Sequence, residues 1–257
     1  MELRHRSQIS FKKVTKSFKE KSSSKIIEVF RDFSIDLPLK ANDKIISFVG
    51  KSGAGKTTLL RLIAGLELPN NGFVLIDGKL ITEKSKIATL VPQQFTCFPW
   101  LNIFDNIAFG LELKKSKDIN KLVLAISKQL GLDDRLDAYP NELSGGMQQR
   151  VAIGRALAVD APILLLDEPF GSLDAETREE MQNILIDISQ KSNKLFCLVT
   201  HDINEAIILS DVIYILPTRP IFKITGIIDV KFKHPRSANL IGTSEFYELN
   251  KRIKNLL

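Results

Sequence analysis

A single eight-residue segment, GKSGAGKT at positions 50–57, constrains this chain more than any other feature of its sequence. Gly50, Gly53 and Gly55 allow a tight turn whose backbone N–H groups point inward, which makes the loop a concave site for anions. The glycine spacing and the final Lys-Thr pair are typical of a loop that binds the phosphates of a nucleoside triphosphate. The sequence therefore predicts a nucleotide-binding protein.

The residues around these glycines fit that prediction. Lys56 is expected to reach the β- and γ-phosphates, and the Thr57 hydroxyl is expected to hold Mg²⁺. The run at 44–49, KIISFV, predicts a buried strand before the loop, and TLLRLIAG predicts a helix after it whose N-terminal dipole favours phosphate. The remaining residues expected around the phosphates are Lys51, Ser52, Ala54 and Thr58.

Composition places the chain among ordinary globular proteins. Its 257 residues are 44% hydrophobic, which is enough for a sizeable core. No apolar stretch approaches the roughly 20 residues that cross a bilayer, and no apolar region follows the charged N-terminus, so we expect neither a membrane span nor an export signal. The two cysteines, Cys97 and Cys197, form no disulfide framework or metal cluster and are expected to be small apolar residues in a reducing compartment.

The formal charge of +6 is open to two interpretations. The lysines of the N-terminal and C-terminal parts of the chain favour a solvated basic face, and a contribution from a nearby anionic membrane surface is the alternative.

The order of predicted elements indicates an α/β core interrupted by helices. Two strands open the chain in antiparallel fashion, and after the phosphate loop two short strands flank an Asp77-Gly78 turn. A block of helices without a strand follows from Asp105 to Val159, and buried strands then alternate with helices. The predicted strands are 8–14, 26–37, 44–49, 73–76, 87–91, 163–166, 195–199 and 212–216, with turns at 21–25 and 69–72 and later helices at 175–190 and 202–209.

An apolar strand ends in two carboxylates in the segment ILLLDEP at 163–169. Acidic side chains are costly at a buried strand end unless they bind a cation or take part in chemistry. Asp167 is expected to orient Mg²⁺ or its water, and Glu168 is placed to polarise an attacking water. The alternative is that the two carboxylates cap the next helix.

Three further features are ambiguous on their own. His201 follows a buried strand, where ligands of open α/β sheets bind, but such a histidine is as often structural. Gln93, after another apolar segment, contacts the metal or the water, or else is a loop residue. In LSGGMQQR, at 143–150, Ser144, Gly145 and Gly146 precede a helix and form a second anion site or an ordinary serine cap. Because one nucleotide does not need two such sites, a two-fold dimer could close each ATP between them.

Together these motifs resemble those of the ATP-binding subunits of ABC transporters, over about Ile9 to Leu216. GKSGAGKT is similar to that family's Walker A, ILLLDEP to its Walker B with Glu168 as catalytic base, and LSGGMQQR to its signature. The resemblance makes Gln93 the Q-loop residue and His201 the switch histidine, and Asp174 in GSLDA belongs to the D-loop. Phe18 falls where the family keeps an aromatic that stacks on adenine.

The resemblance implies a RecA-like P-loop NTPase core with an antiparallel β subdomain and an inserted helical subdomain. The implied divisions are a core of residues 1–92 and 160–234, a helical subdomain of residues 93–159, and a C-terminal tail, 235–257, of unknown role. The implied cofactors are ATP and Mg²⁺. Implied partners are a second ATP-binding subunit in a homodimer, a membrane permease and, indirectly, a solute-binding protein, at the cytoplasmic face of the inner membrane.

Longer segments, among them FPWLNIFDNIAFGLEL, are similar to the importer branch for nitrate, sulfonates, taurine, bicarbonate or thiamine-precursor pyrimidines. The chain departs from that branch at Pro92 and matches it weakly after Arg219. A lipid-trafficking or export system is the alternative, and a nucleic-acid-associated ATPase is a further one. We expect no nucleic acid, because only a compact helical block separates Lys56 from Ser144 and no heptad pattern is present.

The aromatic segment Phe98-Pro99-Trp100 supports two interpretations. Exposed aromatics so close to Gln93 could form the contact with a permease, because interfaces favour such anchors. Phe and Trp at the head of a helical subdomain are as often part of its core.

Overall fold

The computed structural model describes residues 8–20, 25–37, 43–83, 85–94, 97–234, 236 and 238–257. The elements, in chain order, are β1 Ile9–Lys19, β2 Ile26–Asp36, β3 Ile45–Val49, α1 Lys56–Ala64, β4 Asn71–Ile76, β5 Lys79–Leu80, β6 Ala88–Val91, α2 Ile103–Leu113, α3 Ile119–Gln129, α4 Gly145–Ala158, β7 Ile163–Asp167, α5 Ala175–Lys191, β8 Leu195–Thr200, α6 Ile203–Leu209, β9 Val212–Ile215, β10 Gly226–Asp229 and α7 Ser244–Leu256. Short 3₁₀ turns lie at Pro140–Glu142 and Ala238–Gly242.

The larger sheet has the strand order β10-β9-β3-β8-β7-β6, and all its neighbours are parallel except the antiparallel edge pair β10–β9. Strands β3, β7 and β8 are buried along their whole length, as expected for a sheet covered on both faces. Since β8 lies between β3 and β7, the carboxyl ends of these three strands meet at one edge. That edge carries the phosphate loop, the Asp167-Glu168 pair and His201 together.

The smaller sheet is antiparallel, in the order β2-β1-β4-β5. Strand β1 was predicted to end at residue 14 but continues to Lys19, because register irregularities around Lys13 are absorbed without loss of pairing. Lys13 has a φ of 49°, and Gly72 opposite has a φ of 76°. A Cβ on Gly72 would lie 2.2 Å from the Lys13 carbonyl oxygen, so this close approach requires glycine.

Two predictions about short strands were wrong in detail. The Asp77-Gly78 turn joins β4 to the two-residue strand β5, which was not predicted, and β6 lies instead in the larger sheet beside β7. The turn predicted at 69–72 is shorter than expected, because Asn71 already pairs with Thr15 of β1. Most of the turn predicted at 21–25 lies outside the described residues.

The helical block was predicted correctly. Residues 105–159, all of them described, contain α2, α3 and α4 and no strand. Three of the later helices begin at an N-cap residue whose side-chain oxygen accepts a hydrogen bond from a backbone N–H group of the first turn. Ser144 accepts a hydrogen bond from Met147 N, and Asp174 and Asp202 cap α5 and α6 in the same way. None of the described helices is both long and apolar enough to cross a membrane.

Two hydrophobic clusters cover the two faces of the larger sheet. One joins alternate sheet residues, such as Phe196 and Ile213, to the helices α2 to α7, and the other joins residues such as Phe48 to α1 and the smaller sheet. Cys197, fully buried, belongs to the second cluster, as its predicted apolar role requires.

The sequence analysis assigned no element to the chain after Leu216, and the structure has β10 and α7 there. Phe246 and Ile253 of α7 are buried in the same cluster as α6. Thr243 caps α7 by accepting a hydrogen bond from Phe246 N.

Candidate functional site

The phosphate loop lies between β3 and α1, and its lysine is almost completely buried. Lys56 is 5% exposed, and its ammonium group donates to the carbonyl oxygens of Gly50 and Lys51 at 3.0 and 3.1 Å. It also lies 3.6 Å from Glu168 Oε1. Among the described residues these are its hydrogen-bond and ion-pair partners, and a buried cation so placed has capacity for an anionic ligand, which is consistent with its expected role.

Gly55 is the residue on which the loop geometry depends. Its φ is 100°, and a Cβ at this position would lie 2.4 Å from Val29 Cγ1 of strand β2. Gly53 also has a positive φ, 74°, but a Cβ there would meet no atom within 4 Å. Among the glycines of the phosphate loop, only Gly55 therefore combines a positive φ with a close packing contact.

The residues predicted to bind Mg²⁺ are adjacent. The Thr57 hydroxyl donates to Asp167 Oδ1 at 3.1 Å, and Asp167 is 4% exposed. Burial raises the pKa of Asp167 above its ordinary value; the hydrogen bond from Thr57 opposes the rise and the charge of Glu168 adds to it. A hydroxyl oxygen and a carboxylate oxygen are ligands that a hard divalent cation prefers. Such a cation would also offset the free-energy cost of burying the charged carboxylate of Asp167.

The carboxylate of Glu168 is where the predicted catalytic residues converge. Gln93 Nε2 donates to Glu168 Oε2 at 3.4 Å, and His201 Nδ1 lies 3.0 Å from the same oxygen. Glu168 has a φ of 46°, in the left-handed region that costs a non-glycine residue energy. The alternative, that Asp167 and Glu168 cap the next helix, is wrong, because Asp174 caps α5.

A cavity of 360 Å³ opens in front of this cluster. Its wall contains nine of the predicted site residues, which are Phe18, Ser52, Gly53, Gly55, Lys56, Thr57, Thr58, Gln93 and Glu168. Phe18, in β1, is part of the cavity wall, with the ammonium of Lys16 4.8 Å from its ring centroid. An aromatic ring beside a phosphate loop is suited to stack on a base.

Three residues of the cavity wall were missed from the sequence: Ile27, Val29 and Arg219. Ile27 and Val29 belong to β2, and Arg219 follows β9. Arg219 lies where the match to the family becomes weak, so the sequence around it gave no indication of a role in the site. Strand pairing brings Ile27 and Val29 to the site, because β2 pairs with β1 and Phe18 lies opposite Ile27.

Other predicted site residues lie away from the cavity. Among the described residues that line it, none belongs to the LSGGMQQR segment, and Asp174 is also absent. Ser144 and Asp174 use their side-chain oxygens to cap their own helices, so the capping interpretation of Ser144 is correct within one chain. Gly50, Lys51 and Ala54 shape the loop behind the cavity, and Ala54 is buried.

The aromatic segment is partly exposed. Trp100 is 70% exposed and stacks on Phe98 with a centroid distance of 5.3 Å, so the prediction that Trp100 is core is wrong. Phe98 is half-buried, contacts Phe109 at 4.8 Å and lies under the guanidinium of Arg155 at 3.9 Å. We call Phe98, Trp100, Phe109 and Arg155 the aromatic patch.

Comparison with known proteins decides the family. The model of the ABC transporter family matches residues 33–171. This chain belongs to the ABC transporter family. An uncharacterized ABC transporter ATP-binding protein of Methanocaldococcus jannaschii is 45% identical over 226 residues, which cover 87% of this chain and 83% of the relative. The aliphatic sulfonates import ATP-binding protein SsuB of Bacillus cereus is 41% identical over 245 residues, 95% of this chain and 94% of the relative.

Solved structures of the family have the same fold. A dimeric ATP-binding cassette in a post-hydrolysis state, bound to ADP and Pi, is similar with a TM-score of 0.74 at 31% identity, covering 88% of this chain and 100% of that chain. The predicted P-loop NTPase fold is thus confirmed.

Replacing Gly55 by alanine is expected to damage the phosphate loop far more than replacing Gly53. Gly55→Ala adds a clash with Val29 to the cost of a positive φ, whereas Gly53→Ala carries only the latter, about 1 kcal/mol. Thermal unfolding with and without Mg²⁺-ATP measures both effects.

We expect Gly55→Ala to abolish the shift caused by ATP and Gly53→Ala to retain most of it. Val29→Ala, combined with Gly55→Ala, should restore part of the shift. Equal losses in the two single variants would contradict the packing argument.

Proposed function

We propose that this chain is the ATP-hydrolysing subunit of an ABC importer, which energises transport of a small solute through a separate permease. The observation that carries the proposal is the Glu168 carboxylate, which three polar side chains contact beside the Thr57–Asp167 pair. A half-buried base at the end of a phosphate cavity is what hydrolysis of a nucleotide requires. Likeness to an import subunit and to a cassette that holds ADP and Pi supports it.

The cavity accommodates ATP with its phosphates against the loop. Backbone N–H groups of residues 52–57 and the Lys56 ammonium bind the phosphate oxygens, and Phe18 stacks on adenine. Thr57 and Asp167 would hold Mg²⁺, which would neutralise the charge that develops on the phosphates. Arg219, on the same wall, adds a positive charge near the nucleotide.

Hydrolysis follows from the position of Glu168. Its carboxylate accepts a proton from the attacking water as the water approaches the γ-phosphate in line. Gln93 and His201 orient that carboxylate through their contacts with Oε2. The ammonium of the loop lysine lies 3.6 Å from Oε1 on the other side of the carboxylate.

A homodimer completes each site. Ser144, Gly145 and Gly146 begin α4 and present an N-terminal dipole, yet they lie off the cavity of their own chain. A two-fold arrangement brings this segment, and Asp174, against the ATP of the second subunit. The dimeric state of the related cassette supports this arrangement.

The aromatic patch is the proposed contact with the permease. Trp100 is exposed and stacks on Phe98, and Phe98 in turn lies under Arg155. The Trp100 ring is therefore held in place by its neighbours while one face stays available to a partner. The chain would then lie against the cytoplasmic face of the inner membrane. Its solute belongs to the group of nitrate, sulfonates, taurine, bicarbonate and thiamine-precursor pyrimidines, delivered by a solute-binding protein, and relatives named for sulfonate, bicarbonate and nitrate import are similar to this chain to nearly the same degree.

Glu168→Gln is expected to keep ATP binding and to lose most turnover, because the amide cannot accept the proton. A general base is worth about 10² to 10⁴ in rate. Phosphate release by the purified variant measures turnover, and size-exclusion chromatography with Mg²⁺-ATP should reveal a trapped dimer.

Glu112→Gln, at an exposed position of α2, is the matched control and should leave turnover unchanged. Turnover of Glu168→Gln within about threefold of the unmodified chain would sink the assignment of the base, given the size of the effect expected.

Cysteines at Ser52 and Ser144 should crosslink between chains in the presence of Mg²⁺-ATP. The substitutions are made together in a Cys97→Ser background, since Cys97 is partly exposed. Denaturing electrophoresis should show a dimer that forms faster with ATP than without it. Crosslinks found only within one chain would refute the shared site.

Trp100 is the chain's only tryptophan, so its fluorescence reports on the aromatic patch. Emission of the isolated subunit should be red-shifted and quenched by iodide, and membranes that contain the permease should protect it. Trp100→Ala should weaken assembly while ATP binding persists, with a loss of about 2 kcal/mol or more for a hot-spot aromatic.

The control is Tyr247→Ala, which removes an exposed aromatic from α7. Assembly as strong with Trp100→Ala as with Tyr247→Ala would remove the patch from the permease contact.

A further inference from the structure

The C-terminal segment, the described residues of 230–257, holds helix α6 at both ends. Helix α6 has only seven residues, and a helix of that length has little stability of its own. It begins two residues after His201, so whatever fixes α6 also fixes the backbone that carries this histidine.

Arg236 makes the contact at the C-terminal end of α6. Its guanidinium is buried, with the residue 2% exposed, and donates to the carbonyl oxygens of Ile207 at 3.1 Å and Ser210 at 2.5 Å. It also donates to Phe232 O and Val230 O within its own segment. The carbonyls of Ile207 and Ser210 lie at the C-terminal end of α6 and accept no hydrogen bond within the helix. Arg236 therefore supplies their hydrogen bonds, and its charge complements the helix dipole.

Asp211 fixes the same end to the larger sheet. Its carboxylate accepts hydrogen bonds from the backbone N–H groups of Lys44 and Ile45 at 2.6 and 3.0 Å, and His234 of the C-terminal segment lies 3.2 Å away. Burial alone would raise the pKa of Asp211, but the hydrogen bonds with His234, Ile45 and Lys44 outweigh it and hold the pKa below its ordinary value.

Helix α7 makes the contact at the N-terminal end of α6. Asn250 Nδ2 donates to Asn204 Oδ1 at 2.7 Å, and the buried side chains of Phe246 and Ile253 pack in the cluster that contains α6. Asn204 lies in the first turn of α6, three residues after His201.

The first turn of α6 is joined tightly to the backbone on either side of His201. The Thr200 hydroxyl donates to Glu205 Oε2 at 2.9 Å and accepts from Asp202 N at 3.0 Å. Asp202 in turn accepts from Asn204 N and Glu205 N. The positions of Thr200 and Asp202, and hence of His201 between them, thus move with α6.

We propose that Arg236 and Asn250 are positioning residues for hydrolysis, which act by holding α6 so that His201 contacts Glu168. This inference rests on the proposed ATPase function. His201 itself is 60% exposed and makes its described contact through one ring nitrogen, so the side chain has no tight packing of its own to fix it. The contacts of the C-terminal segment with both ends of α6 fix the backbone that carries His201.

The test uses Arg236→Met and Asn250→Ala, with exposed residues of α7 as matched controls, Arg252→Met and Asn255→Ala. We expect kcat to fall about tenfold in Arg236→Met and about threefold in Asn250→Ala, with KM for ATP nearly unchanged, because small misplacements reduce the chemical step. Arg236→Lys should recover part of the loss, since an ammonium reaches some of the carbonyls. The two controls should match the unmodified chain.

A double-mutant cycle with His201→Ala separates positioning from general destabilisation. If the C-terminal segment acts through His201, Asn250→Ala should lower the residual turnover of His201→Ala by less than about 1.5-fold. Hydrogen exchange measured at residues 200–204 should also quicken in Asn250→Ala, although the change lies in α7.

The proposal is overturned if the loss of turnover is the same with and without His201, or if exchange at 200–204 is unchanged. A fall in ATP affinity alone would overturn it as well. Asn250→Ala carries the test if Arg236→Met does not fold. An unmodified chain that hydrolyses no ATP would count instead against the proposed function.

Discussion

The arrangement of the site depends on the hydrogen bonds and the ion pair of one buried ammonium group. Lys56 Nζ is withdrawn from water, and its partners are two loop carbonyls and, farther away, Glu168. Such a charge is stable only where polar groups surround it, so the loop must turn its backbone toward it and β7 must bring its carboxylates close. The strand order β3-β8-β7 satisfies both requirements, because it sets the loop and the acidic pair on the same edge one strand apart.

Local chemistry made much of this arrangement predictable. Glycine spacing identified the phosphate loop, and a strand ending in Asp167-Glu168 identified the acidic pair before any contact between them was known. The Thr57–Asp167 hydrogen bond is consistent with that inference. Gln93 and His201 were ambiguous alone, since each is a single polar residue after a strand, and the evidence that joins them is a shared contact with one carboxylate oxygen.

The features that could not be predicted depend on long-range pairing or on irregular backbone. Strand β1 passes through a bulge that the alternation of apolar and polar residues does not predict. Strand β6 joins the larger sheet although it follows the smaller one in sequence. Ile27, Val29 and Arg219 reach the cavity only through tertiary structure. The C-terminal helix is a different case, because Thr243 before an amphipathic run is a helix start that its weak family resemblance obscured.

The backbone of Glu168 sets folding against function at a single residue. Its φ of 46° would suit glycine or asparagine, and the strain of about 1 kcal/mol is carried by the surrounding strand and turn. Glycine at this position would relieve that strain, but it would remove the base and also the carboxylate that lies 3.6 Å from the buried Lys56 ammonium. The strained backbone is therefore kept for the side chain that it carries, and the same carboxylate links the charge balance of the loop to the chemistry of the site.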